Sequence, residues 1–147
     1  MSNAVLNTFK RMILKGDVLA LSDTFKIALM QIGFTFDMTT HLAYANVSGS
    51  ELATAYGYTA GGETLAGVAL TVNNTSNLAK LSWSNVQWNA TGGSIVCAGA
   101  VIYDDTTSTG SGHDYTKAIV AYIDTRGTMI ASDGTPLIVQ NLNVEIR

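Results

Sequence analysis

Apolar positions along this chain begin with one stretch of helical spacing and then change period. In "NAVLNTFKRMILKGD" (3–17), Val5, Leu6, Phe9, Met12 and Ile13 recur near every third or fourth residue, and Gly16 supplies a stop. The spacing predicts a short N-terminal helix. Beyond it the period falls to two. "DTFKIALM" (23–30) sets Phe25, Ile27 and Leu29 against Lys26, Ala28 and Met30, as a half-buried strand does. "TLAGVALTV" (64–72) reads as one extended run. "NLAKLSWSNVQW" gives two more, split by a Ser-Asn turn signal. "GSIVCAGAVIYD" is apolar on both faces, which suits a central strand. "KAIVAYID" and "PLIVQNLNVEIR" complete the series.

Turn clusters separate these runs: "NNTSN", "NATGG", "DDTTSTGSGHD", "TRGT" and "ASDGTP". Short strands between such clusters, with no intervening helical period, predict an all-β fold, a single β-sandwich or jelly-roll-like domain. The expected organisation is an N-terminal helical arm at 1–17 and a β-sandwich domain at 18–147. Residues 34–56 are less regular and are expected to loop across the fold. The arm has two readings: it clasps a neighbouring subunit, or it covers an open end of its own sandwich.

Composition narrows the function. Of the 147 residues only 13% are charged, and mean hydropathy is +0.22. Charge is depleted at the cores of protein interfaces, so a charge-poor surface is expected to be covered by partner subunits; a rigid, neutral, monomeric β-protein is the alternative. The longest uncharged window, 81–103, is interrupted by Ser, Asn, Gln, Thr and Gly and cannot serve as the ~20-residue apolar span of a membrane helix. Net charge is −3 and the eight Lys and Arg are scattered, which argues against nucleic acid as a partner. The start of the chain lacks the long apolar region of a signal peptide. A single cysteine, Cys97, forms no intrachain disulfide and reads as a small core residue.

Candidate chemistry is thin. "YTAGGETL" (58–65) lacks the Lys and Ser/Thr of a phosphate-binding loop, and its glycines precede a strand pattern rather than a helix. Turn glycines account for the pair Gly61-Gly62. Asp104, Asp105, His113 and Asp114, in "YDDTTSTGSGHDY" (103–115), lack metal-ligand spacing, and a solvated, flexible hairpin loop is expected there. His41 has no local partner to make it a base or a metal ligand, and no nucleophile elbow occurs. The sequence therefore predicts a non-enzymatic protein with no catalytic, cofactor-binding or metal-binding residues. Trp83 and Trp88 are expected in the core or an interface; a stacking platform for sugars is the alternative.

Several motifs together resemble a family of small tailed-bacteriophage virion proteins. They are "DTFKIALM", the stretch from Val47 to Val72 with its "GYTAGG" (57–62), "VQW" (86–88), "GAVIYDD" (99–105), "IVAYID" (119–124) and the closing "NVEIR". The resemblance spans 18–147, and its most specific part is the hexapeptide 57–62. Extra residues between Gly49 and Gly57 depart from the family pattern. The resemblance implies a structural, non-enzymatic role in a virion; the chain is expected to be made in the host cytoplasm and placed on the capsid surface. The expected function is capsid decoration through the major capsid protein, with self-association as a homotrimer or a dimer. A tail- or fibre-associated receptor- or carbohydrate-binding module is the alternative.

Overall fold

The computed structural model describes residues 2–147. It is all-β with one short helix. In chain order the elements are β1 (Ser2–Val5), α1 (Asn7–Lys15), β2 (Phe25–Met30), β3 (Glu63–Thr64), β4 (Ala69–Asn73), β5 (Leu78–Ser82), β6 (Val86–Asn89), β7 (Ile95–Asp104), β8 (Ile119–Ala131), β9 (Pro136–Val139) and β10 (Asn143–Ile146). Every strand pair among the described residues is antiparallel. Five strands form a sheet in the order β1-β8-β7-β2-β3, three form a second in the order β10-β5-β4, and β6 pairs with β9. One cluster of buried side chains, from Leu6 to Val144, joins all of them.

The central strand is β7, as its two apolar faces predict. Six of its residues, Gly99 to Asp104, are buried without a break. Its neighbours β2 and β8 bury Ile27, Leu29, Ile119 and Ile123 against it. Phe25 meets Trp83 edge to face, with ring centroids 5.3 Å apart, and Trp83 is followed closely by β6 with its buried Trp88.

The N-terminal segment is only partly helical. Residues expected at the helix start form β1, which pairs with β8 from Ser2↔Asp124 to Val5↔Ala121. The open edge of β8 offers unpaired backbone groups, and that pairing outweighs a weak local preference for helix. Residues 7–15 do form α1, and Gly16 ends it at φ 84°. Its N–H reaches the carbonyl of Ile13, and the next N–H, of Asp17, reaches Met12 at 2.9 Å, a left-handed cap that suits glycine. Leu6, Phe9 and Met12 are fully buried in the chain's own core. The apolar face of the helix is thus used within the chain; Met1 lies outside the described residues.

Two other expectations need correction. The run 64–72 is not one strand: β3 joins the five-stranded sheet and β4 the three-stranded one. Gly67, at φ 65°, turns the chain between them, and the Ala66 carbonyl accepts from the Ser84 N–H at 2.9 Å. "TRGT" is not a turn between strands but a bulge inside β8. Opposite it the register jumps from Gly99↔Asp124 to Cys97↔Met129. Arg126 and Gly127 take φ of 55° and 143°, and Asp124 Oδ1 accepts from the Arg126 N–H at 2.8 Å. The extra residues are thereby absorbed without ending the strand.

Candidate functional site

The irregular stretch 31–62 leaves β2 and returns to β3, and it is stitched to the five-stranded sheet. The Gln31 N–H donates to the Ser50 carbonyl and the Leu52 N–H to the Leu29 carbonyl, both at 2.9 Å. Farther along, the Tyr44 and Ile119 amides bond Lys117 and Leu42. These contacts bring Glu51 under the loop, 6% exposed.

Glu51 is the hub of a polar network. Its Oε1 accepts the Tyr58 hydroxyl at 2.5 Å and the Gly61 N–H at 2.7 Å, and its Oε2 accepts the Tyr44 hydroxyl. Tyr58 Oη in turn accepts the Leu29 N–H at 3.0 Å. Tyr103 donates to the Gly61 carbonyl at 2.6 Å and stacks on Tyr44 with centroids 4.4 Å apart. Burial, reinforced by the adjoining Glu51 carboxylate, pushes the hydroxyls of Tyr44 and Tyr58 well above the usual range; for Tyr103 burial again leads, followed by the carboxylates of Asp105 and Glu51. Charge-assisted bonds of this kind are strong because the carboxylate is desolvated and fully engaged. The hub fixes the "GYTAGG" turn through the Gly61 N–H and carbonyl.

The loop 105–117 is more ordered than its composition suggests. Thr107 is 2% exposed; its hydroxyl bonds the Asp104 carbonyl at 3.2 Å and accepts the Ala118 N–H at 2.9 Å. Asp104 is fully buried at the end of β7. Its Oδ1 accepts the Thr106 N–H at 2.8 Å, while Oδ2 has no hydrogen-bond partner. Burial, with the carboxylate of Asp23 close by, raises its carboxyl to about 7. Asp105 lies between Lys117 and Lys26, at 2.9 and 3.3 Å. Burial pushes its carboxyl up, but the two ammonium groups outweigh that and hold it below the usual range.

Asp114 and His113, farther along this loop, lie beside the helix and Asp17, just past its end. Asp114 pairs with Lys15 at 2.9 Å and with Arg11. Lys15 also reaches Asp17 at 3.0 Å, and His113 Nδ1 lies 4.0 Å from Asp17 Oδ1. So Asp104, Asp105, His113 and Asp114 are divided among a buried pocket, a lysine pair and a helix clamp. Among the described residues no group of three or more His, Cys, Asp or Glu side chains could hold a metal.

His41 packs among aromatic rings. It stacks on Phe34 at 5.5 Å, Phe36 stacks on Tyr122 at 4.8 Å, and His41 Nδ1 accepts the Asp37 N–H at 3.0 Å. Cys97 is buried, and burial raises its thiol to about 11, so little thiolate forms near neutrality. Trp83 and Trp88 are 6% and 4% exposed and belong to the core.

A half-open groove of about 570 Å³ runs between β1 and β10, lined by Val5, Lys10, Ile123, Gln140, Asn141, Asn143, Glu145 and Arg147. Its charges include an ion pair between Arg147 and Glu145 at 3.4 Å. Among the described residues no nucleophile and base converge in it. No helix among the described residues is long and apolar enough to cross a membrane.

What the sequence reading passed over is Glu51 itself. The one available signal is its isolation: residues 47–72 carry only Glu51 and Glu63 as charges, and tyrosines stand seven residues to either side of Glu51. In comparisons with known proteins, no protein family, curated protein or solved structure matches the chain.

Proposed function

We propose that the chain is a capsid decoration protein of a tailed bacteriophage, stabilising the head shell by bridging major capsid subunits. The observation that carries this reading is the placement of its large apolar side chains. Trp83 and Trp88, the natural stacking platform of a glycan-binding module, are in the core. Leu14, Leu21, Ile32, Val72 and Ile130, by contrast, are 60% or more exposed. Apolar groups spread over an outer surface suit broad contact with other proteins better than capture of a small ligand. The motif resemblance over 18–147 and the low charge content support the same role. So does the anchoring of loop 105–117, where Thr107, Asp105 and Asp114 are engaged in contacts within the chain.

Copy number per purified virion, relative to the major capsid protein, tests the proposal. A ratio within a few-fold of the capsid protein is expected, since the capsid lattice offers that many equivalent sites. A handful of copies would overturn it in favour of a tail- or fibre-associated receptor-binding module. Absence from virions would overturn both.

A further inference from the structure

The three-stranded sheet carries an apolar face that begins under the core and ends in the open. Leu70, Leu81 and Val144 stand opposite one another across its strands, as do Val72, Ala79 and Ile146. Residues directly opposite share a face, so these six make one apolar surface. Leu81 and Val144 are 2% and 1% exposed, whereas Leu70 and Val72, on the outer strand β4, are 50% and 72% exposed. All five residues of β4 are exposed, and β4 pairs with no strand other than β5 among the described residues.

Edge strands are normally guarded against pairing by charge, proline or a bulge. β4, with sequence Ala-Leu-Thr-Val-Asn, has none of these, and no residue in it takes a positive φ. Its order is also compatible with itself. An antiparallel pair centred on Thr71 sets Thr71 against Thr71 of a second copy, and Leu70 against Val72 of that copy. The apolar pairs then fall on the apolar face and the threonines on the polar one. No charge is brought together, although each chain carries a net −3.

We infer that the β4 edge is a homodimerisation surface, joining two copies about a two-fold axis into one six-stranded sheet. The contact is isologous, so one patch serves both partners and the assembly closes at two. Backbone bonds between the β4 edges supply the continuity of the sheet, and the Leu70–Val72 pairs cover the uncovered part of its apolar face. Two five-residue strands make a small interface compared with the roughly 1,600 Å² of a standard one, so the dimer dissociates in the micromolar range or weaker.

Sedimentation of the full chain between about 1 μM and 1 mM, a span that brackets such an affinity, reads the equilibrium. A dimer that grows with concentration is expected. Val72→Lys should raise the dissociation constant at least about tenfold, and because Val72 is mostly exposed, its circular dichroism and melting temperature should stay unchanged. Thr71→Cys should form a disulfide-linked dimer under mild oxidation, since residues opposite across an antiparallel pair lie within disulfide reach. Thr75→Cys, in the turn after β4, should not, and buried Cys97 does not compete. A monomer throughout would overturn the inference. So would an oligomer that Val72→Lys leaves intact, or a failure of Thr71→Cys to cross-link.

Discussion

Gly62 lies against the backbone of Ile27 with no room for a side chain. A Cβ there would sit 2.6 Å from the Ile27 carbonyl carbon and 2.9 Å from the Ala28 Cα, and Gly62 takes φ 73°. The neighbouring Gly61 is also left-handed, at φ 97°, yet nothing lies within 4 Å of the same position. The two glycines of one turn are therefore held by different forces. Gly62→Ala should cost about 3 kcal/mol or more, because backbone must move. Gly61→Ala should cost about 1 kcal/mol, the conformational penalty alone. Denaturant unfolding of the two variants measures the difference, and equal costs would contradict the close approach.

Asp104 makes stability depend on pH. Its carboxyl, raised to about 7 by burial and by Asp23, stands above the roughly 3.9 of an unfolded aspartate. The folded state holds the proton more tightly, so the contribution is complete below about pH 4 and is lost as pH rises through about 7. Asp104→Asn keeps an acceptor for the Thr106 N–H and places a donor where Oδ2 has no partner. Melting temperature should rise by a few degrees at pH 8, with little change or a slight loss at pH 4. A variant less stable than the parent at pH 8 would contradict the assignment.

Tyr44, Tyr58, Tyr103 and Tyr122 are all raised above the ordinary phenol range, first by burial. Their contribution to stability is present below about pH 10, the unfolded value, and is lost as pH climbs beyond it. Absorbance titration of phenolate should show Tyr44, Tyr58 and Tyr103 ionising only as the fold is lost. Reversible titration of these three near pH 10 in the folded chain would contradict the hub around Glu51.

The two indoles provide an optical check. With Trp83 and Trp88 at 6% and 4% exposure, fluorescence should be blue-shifted and insensitive to iodide. Simple sugars should leave it unchanged. Strong quenching, or a saturable shift with a saccharide, would revive a glycan-binding surface.

Much of the architecture is legible in the periodicity. β2, β5, β6 and β7 follow from alternation or from unbroken apolar runs, because side-chain burial in a sheet repeats every two residues. Gly16 marks the helix end for a local reason. The departures share a cause that is not local. Val5 joins a strand because β8 has an open edge, and "TRGT" continues a strand because β7 supplies a partner on both sides of the bulge. Trp83 and Trp88 are in the core, one of the two places their spacing allows. The Glu51 hub was hidden because its partners converge through irregular backbone, where no period links position to contact. The same holds for Asp104 and Asp114, the two ends of one turn cluster, of which the first is buried and the second pairs with the helix.

The hub changes how the longest irregular stretch should fluctuate. Loops usually open locally at little cost, and their amides exchange with solvent quickly. Here the amides of Leu29 and Gly61 are bonded to Tyr58 Oη and Glu51 Oε1, so either can be released only by exposing the same carboxylate and its hydroxyl partners. The two amides, 32 positions apart in the chain, should therefore exchange as one slow unit with the strands beside them, and the loop that connects β2 to β3 should breathe as core.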